Sequence, residues 1–274
     1  MTLTLNNINM TRKLLVLLFS ACIFLLSSCL DTEEKIVINK DNSGVYNLSL
    51  DMGRMLKLMN QSGKSKDSTK KVQQKDTIIY LKPHVDTSTQ LTDQEKEMLR
   101  DGSIHVKVDE PANVMNFVIS IPFKKIQDLP YLRENYMKAI DKLKLKDPLK
   151  DKKEREENNE EQPPSEMSAG SQSLIPGQNS YSFTAIPGKL SYKIKDKATY
   201  TKELENDSTL QMMKSLMAMM GEMTYKTTIV LPKPVKHYTG NNASISADKK
   251  TIVFKNNFTN LFKKPESFAF ELDY

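Results

Sequence analysis

The chain has 274 residues, 38% hydrophobic and 27% charged, with 40 Lys+Arg against 34 Asp+Glu, two cysteines and no tryptophan. That is room for one large domain or two small ones. A formal net charge of +6 spread over mixed signs is not the footprint of a nucleic-acid binder, and two cysteines, one of them in a removable segment, exclude a disulfide framework within the monomer.

At the amino terminus, Arg12 and Lys13 precede Leu14 to Leu26, an apolar run of thirteen residues broken only by Ser20. This charged-then-apolar order describes a secretory signal peptide, and the run is short of the roughly 20 residues that span a bilayer. It ends in Leu26-Ser27-Ser28-Cys29: an aliphatic residue, two small ones and a cysteine. The tetrapeptide resembles the lipobox of bacterial lipoproteins. That resemblance implies cleavage between Ser28 and Cys29, a diacylglyceryl group on the Cys29 sulfur and a fatty acid on the new amino terminus. Loss of residues 1–28 removes Arg12 and Lys13 and lowers the formal charge from +6 to +4. Two or three acyl chains hold a protein stably where one holds it marginally. The implied partner is a membrane, met through the acyl chains on Cys29 outside the cytoplasm, with no nucleotide and no nucleic acid.

Leu30 follows Cys29 where, in the enterobacterial sorting rule, an Asp would mark inner-membrane retention. Asp31, Thr32, Glu33 and Glu34 then form an acidic patch resembling the export signal of Bacteroidota-type lipoproteins, which implies the outer membrane, with display at the cell surface. Residues 29–34 read as an acylated cysteine and an acidic tether. As a bare charge pattern, the same run is equally a solvated spacer.

The mature chain divides into a first patterned stretch, 35–146, a charged insertion, 147–178, and a second stretch, 179–274. Lys150 to Pro164 carries ten charged residues and no apolar side chain, so it has nothing to bury and is expected to be disordered. Asn60 to Lys75, with five lysines and only Val72 to bury, reads as a solvated loop.

Within the stretches, period-two alternation dominates. Tyr46, Leu48 and Leu50 alternate with polar residues, as do Ile104, Val106 and Val108; Leu190, Tyr192 and Ile194; and Phe268, Phe270 and Leu272. Each reads as a half-buried strand of an antiparallel sheet. Asp41-Asn42-Ser43-Gly44 supplies the turn between Ile36-Val37-Ile38 and Val45 to Leu50, and Asp248-Lys249-Lys250 supplies one between Ala243 to Ser246 and Thr251 to Lys255. Helices are expected over Asp51 to Asn60, over Thr92 to Arg100 behind a capping box of Thr92 and Glu95, over Leu129 to Leu145 and over Asp207 to Met223. Strand pairs punctuated by helices predict an α+β fold, mostly antiparallel. Because either stretch alone would make a thin core, one continuous sheet drawn from both is expected.

At 100° per residue, Leu210, Met212, Met213, Leu216, Met217, Met219, Met220 and Met223 share one half of the helix wheel, and Gln211, Lys214, Ser215, Ala218, Gly221 and Glu222 fill the other. Asp51 to Asn60 repeats the theme with Met52, Met55 and Met59. Three readings stand: core packing by adaptable side chains, a groove for an apolar ligand or partner helix, or thioether ligands for Cu(I). Against copper, the methionines spread over half the wheel and no Cys or His accompanies them.

The remaining inventory is thin. His84, His105 and His237 sit singly, without metal-ligand spacing, and no G-x-S-x-G elbow occurs. Gly63-Lys64-Ser65 imitates the end of a phosphate loop but has Leu58 where the earlier glycine belongs. Asn39 to Gly44 imitates a calcium loop but has Leu50 in place of the bidentate Glu. No catalytic residue, metal or cofactor is assigned.

The segments IVINKDNSGVYNLSLDMGRML (Ile36 to Leu56) and YKTTIVLPKPVKHYTGNNASISADKKTIVF (Tyr225 to Phe254) resemble envelope lipoproteins of the LppM-like group: a hairpin, a helix, then a strand ending in Leu-Pro and a hairpin with an Asp-Lys turn. The resemblance implies a lipid-handling α+β sheet domain and carries over no catalytic residue. The expected function is that of a non-catalytic, lipid-anchored envelope protein that binds an apolar ligand such as a lipid, or another envelope protein. An envelope hydrolase using carboxylates, and a methionine-based metal carrier, are the alternatives.

Overall fold

A computed structural model describes residues 31–61, 74–145, 180–206, 214–215, 217–218 and 221–274. Residues 1–28, expected to be a signal peptide, and Cys29 lie outside these residues, as does the whole insertion 147–178.

The chain opens with a hairpin of β1 (Asp31–Ile38) and β2 (Gly44–Asp51), followed by α1 (Gly53–Gln61). Then come β3 (Gln74–Tyr80), α2 (Lys82–Thr87), α3 (Asp93–Leu99), β4 (Ser103–Asp109), β5 (Val114–Phe123), a 3-10 turn at Ile126–Asp128 and α4 (Leu129–Lys142). The second stretch contributes β6 (Tyr181–Ile186), β7 (Lys189–Ile194), α5 (Lys197–Asn206), β8 (Thr224–Val230), β9 (His237–Gly240), β10 (Ala243–Ile245) and β11 (Thr251–Asn257). It closes with α6 (Thr259–Lys263), a 3-10 turn at Pro265–Phe268 and β12 (Phe270–Asp273).

The fold is α+β and mostly antiparallel. An eight-stranded sheet runs β10-β11-β8-β1-β2-β5-β4-β3, and a four-stranded sheet runs β6-β7-β12-β9. Among the described residues the single parallel pairing, β1 with β8, stitches the first stretch to the second. The expectation of one continuous sheet is therefore half met: β8, β10 and β11 join the first stretch, whereas the other four strands form a sheet of their own. Both sheets contribute to one contiguous core. Its apolar side chains alternate along the large sheet through Ile36, Ile38, Tyr46, Leu48, Ile104, Val106, Ile119, Ile121, Ile229 and Ile252, beneath Leu129, Leu132, Tyr136 and Ala139 of α4. Each such side chain, fully buried, contributes on the order of 1.5–3 kcal/mol relative to exposure.

The first hairpin forms where its turn chemistry places it. Asn42 takes the left-handed conformation (φ 64°), and the Ser43 N–H donates to Asp41 Oδ1 at 3.0 Å. Gly44 follows because a Cβ there would stand 1.9 Å from the Val37 carbonyl oxygen and 2.4 Å from the Phe123 ring. The capping box at α3 is complete, with Thr92 Oγ1 accepting from the Glu95 N–H at 3.3 Å and Glu95 Oε2 accepting from the Thr92 N–H at 2.9 Å.

Several expectations need correction. Asp31 to Glu34 is no tether: it is the first half of β1, paired with β2 and β8 on either side, and alternation turns Thr32 and Glu34 into the core. Strand β12 begins only at Phe270, since Phe268 lies in the 3-10 turn that starts at Pro265. Ser191, the polar residue that alternates with Leu190 and Tyr192 on β7, is buried as they are, so alternation does not give β7 a wet face at this position. Helices α2, α5 and α6 had no sequence signal strong enough to announce them.

Candidate functional site

Strand register gathers the amino-terminal chain and the methionine-rich segments at one end of the large sheet. Asp31, two residues beyond Cys29, is paired with Asp51 on one side and Thr224 on the other; Asp51 is paired in turn with Asn116, and Thr224 with Asn257. This end is thus formed by the start of β1, by α1 after β2, by the turn 110–113 before β5, by the segment ahead of β8 and by α6 after β11.

Local bonds seat α1 there. Asp51 Oδ1 accepts from the Gly53 N–H at 2.9 Å, and the Met52 N–H donates to the Met115 carbonyl at 2.7 Å. A Cβ on Gly53 would come within 2.5 Å of the Asn113 carbonyl oxygen, so the helix rests directly on the turn. Leu56 faces the core, Met52 and Met55 pack against it half-buried, and Lys57 and Leu58 face outward, Leu58 being 37% exposed.

Of the candidate ligand-face residues, Met217 and Met223 are described; Met212, Met213, Leu216, Met219 and Met220 lie outside the described residues. Met217 is half-buried against the core and Met223 is fully buried, whereas Lys214, Ser215 and Ala218 are exposed, so the described positions follow the apolar and polar halves of the wheel. The Gly221 N–H donates to the Met217 carbonyl at 2.9 Å, and Gly221 adopts φ 86°. A glycine in the left-handed region is the usual device for ending a helix, and it turns the chain into β8.

A second constellation lies at the centre of the core. Arg133 donates to Glu34 through Nε at 2.5 Å and Nη2 at 3.0 Å, and the Tyr225 hydroxyl donates to Glu34 Oε2 at 2.9 Å. The guanidinium carbon lies 4.1 Å from the Tyr192 ring centroid and 4.9 Å from that of Phe183. One ion pair thereby links β1, α4 and β8 and, through the two rings, the second sheet. Burial opposes the Arg133 charge, but Glu34 outweighs it and holds the guanidinium protonated well above its ordinary value. Burial, followed by the negative charge of Glu34, pushes the hydroxyls of Tyr46 and Tyr225 well up. Glu34 is engaged at both oxygens, so its arrangement is that of a joint. The signal for the pair was present in the sequence: Glu34 shares the inward phase of Ile36 and Ile38, and Arg133 shares the apolar stripe of Leu129, Leu132 and Tyr136.

Beside this joint is a cavity of about 90 Å³ lined by Pro130, Arg133, Glu134, Tyr181, Ser182, Phe183 and Lys195. Ligand pockets commonly measure about 300–1,000 Å³, so it is too small for an acyl chain. His84 and His237 are exposed, and His105 contacts Asp76 at 2.6 Å, an interaction that holds the Asp76 carboxyl below its ordinary range. Among the described residues, no group of three or more His, Cys, Asp or Glu is arranged to hold a metal, and no helix is long and apolar enough to cross a membrane. No protein-family model, curated protein or solved structure matches the chain.

Proposed function

We propose that the chain is a lipid-anchored protein of the bacterial cell envelope, held at the outer membrane by acyl groups on Cys29, and that it is a non-catalytic binder of an apolar partner, lipid or envelope protein, at its methionine-rich end. The observation that carries the reading is Leu26-Ser27-Ser28-Cys29 standing immediately ahead of β1, with Met52, Met55, Met115, Met217 and Met223 around the end of the sheet where β1 begins. Flexible, polarizable thioethers adapt to surfaces of varied shape, which suits an apolar partner without a fixed outline. The absence of a nucleophile motif from the sequence favours a binder over a hydrolase.

The test is Cys29→Ala. In membrane fractionation of cells expressing the full chain, the unaltered protein sediments with membranes and carries the mass of a diacylglyceryl-modified amino terminus, while the variant is released unmodified. Retention of the variant in washed membranes would overturn the reading.

A further inference from the structure

Resting on that reading, we propose that the methionine-rich end of the eight-stranded sheet is the surface apposed to the phospholipid bilayer, so that α1 and the turn 110–113 meet lipid headgroups together with the acyl chains on Cys29. The first argument is length. Only Leu30 separates Cys29 from Asp31, so roughly 7 Å of extended chain joins the acylated residue to the first strand. The opposite end of β1, Ile38, lies seven residues on from Asp31, roughly 23 Å further from the anchor. The strand that receives this short connection is central and is paired on both sides, so it has no freedom to peel away from the sheet.

The second argument is chemistry. Around Asp31 the fold leaves Met52, Met55, Met115 and Met217 only half covered, and it turns Leu58 outward on the side of α1 away from Leu56. Exposed Lys57, Lys214 and Lys263 stand among these apolar groups. Lysines on apolar ground suit a headgroup layer, where the stem packs against lipid and the ammonium reaches phosphate. Nearby carboxylates are hydrogen-bonded within the chain: Asp51 accepts from Gly53, Asp109 from Ala112 and Glu222 from Thr259, while Glu110 is half-buried in the turn itself. At the other end of the sheet the turn that follows β1 is Asn39, Lys40, Asp41, Asn42 and Ser43, all polar, and the exposed apolar side chains of that end, Tyr80 on β3 and Ile245 on β10, stand on the two edge strands, away from β1.

The experiment uses the mature lipoprotein, in which the acylated Cys29 leaves no other thiol to label. Leu58→Cys on α1, Asp41→Cys at the opposite end and Lys107→Cys on the outward face of the sheet are each labelled with a fluorophore. Each protein is reconstituted into vesicles of zwitterionic and anionic phospholipid, a fraction of which carries a nitroxide on the headgroup. The expected result is quenching several-fold stronger at position 58 than at position 41 or 107. Equal quenching at 58 and 41, or strongest quenching at 41, overturns the proposal; strongest quenching at 107 overturns it in favour of a sheet lying flat. In the same preparations, flotation of the unlabelled protein and of Cys29→Ala separates the two levels. Failure of the unlabelled protein to float, or flotation of the variant, sinks the anchoring reading and this proposal with it. Normal Cys29-dependent flotation with the wrong quenching pattern sinks the orientation alone.

Discussion

The two ends of the eight-stranded sheet are finished differently. At the end away from Cys29, Leu81, Val85 and Leu99 of the α2–α3 region are fully buried, α3 has a complete capping box, and Glu95 also takes the Lys142 ammonium at 2.5 Å. At the other end α1 has no acidic residue in its first turn and no basic residue in its last to complement its dipole, methionines fill the ground beneath it, and Leu58 faces outward. The same sheet thus carries one end closed by close-packed branched side chains and specific caps, and one end covered by adaptable, incompletely buried ones.

The comparison can be broken first at what the ends share. Arg133→Met leaves Glu34 buried with its cation removed, and it should cost about 3–5 kcal/mol in urea unfolding of the chain. Combining it with Glu34→Leu should recover much of that loss, since an apolar replacement of a buried pair is commonly neutral or favourable. A fully additive double variant would show that the pair is not the joint between the sheets.

The next contrast sets one end against the other. Leu99→Ala empties a site with no exposure and should cost about 2–5 kcal/mol, whereas Leu58→Ala should change stability by less than about 0.5 kcal/mol. Comparable losses in thermal unfolding would erase the difference between the ends. A loss between these two is expected at the cap, where Thr92→Ala should cost about 1 kcal/mol. Its pH dependence sharpens the point. Burial raises the Glu95 carboxyl, but the Lys142 ammonium and the Thr92 donors outweigh it and hold the group below its ordinary value near 4.5. A carboxyl lowered by folding contributes stability that is present above the ordinary value and is lost as pH falls through the lowered one. Glu95→Gln should therefore flatten the acid limb of the stability profile below about pH 4.5, and an unchanged acid limb would remove Glu95 from that role.

The legible parts of this molecule were those written in local chemistry. The Asp41–Gly44 turn, the Thr92–Glu95 box and the inward phase of Ile104, Val106 and Val108 each depend on residues within a few positions of one another. The apolar and polar halves of the segment ahead of β8 were legible at Lys214, Ser215, Met217 and Ala218 for the same reason, because a helix wheel needs only spacing. What escaped was set by neighbours distant in sequence. The acidic run Asp31 to Glu34 looks like a solvated spacer until β2 and β8 pair with it, and a soluble fragment started at Lys35 would sever β1 and discard Glu34. Ser191 alternates as a wet-face residue and is nonetheless buried, an outcome that depends on the tertiary surroundings of its strand. Helix α2 is six residues long, with Pro83 near its start, and leaves little periodicity to read.

The sequence by itself determined the strand and turn repertoire, the amphipathic spacing of the methionines and hence the α+β, mostly antiparallel class, since all of these are encoded in the period and type of neighbouring side chains. Only the tertiary structure decided that β1 lies parallel to β8, that the strands divide into two sheets, that Glu34 meets Arg133 across 99 positions and that the methionine-rich segments converge where β1 begins. Those outcomes depend on which apolar faces bury each other best, a property of the whole chain that no local window contains.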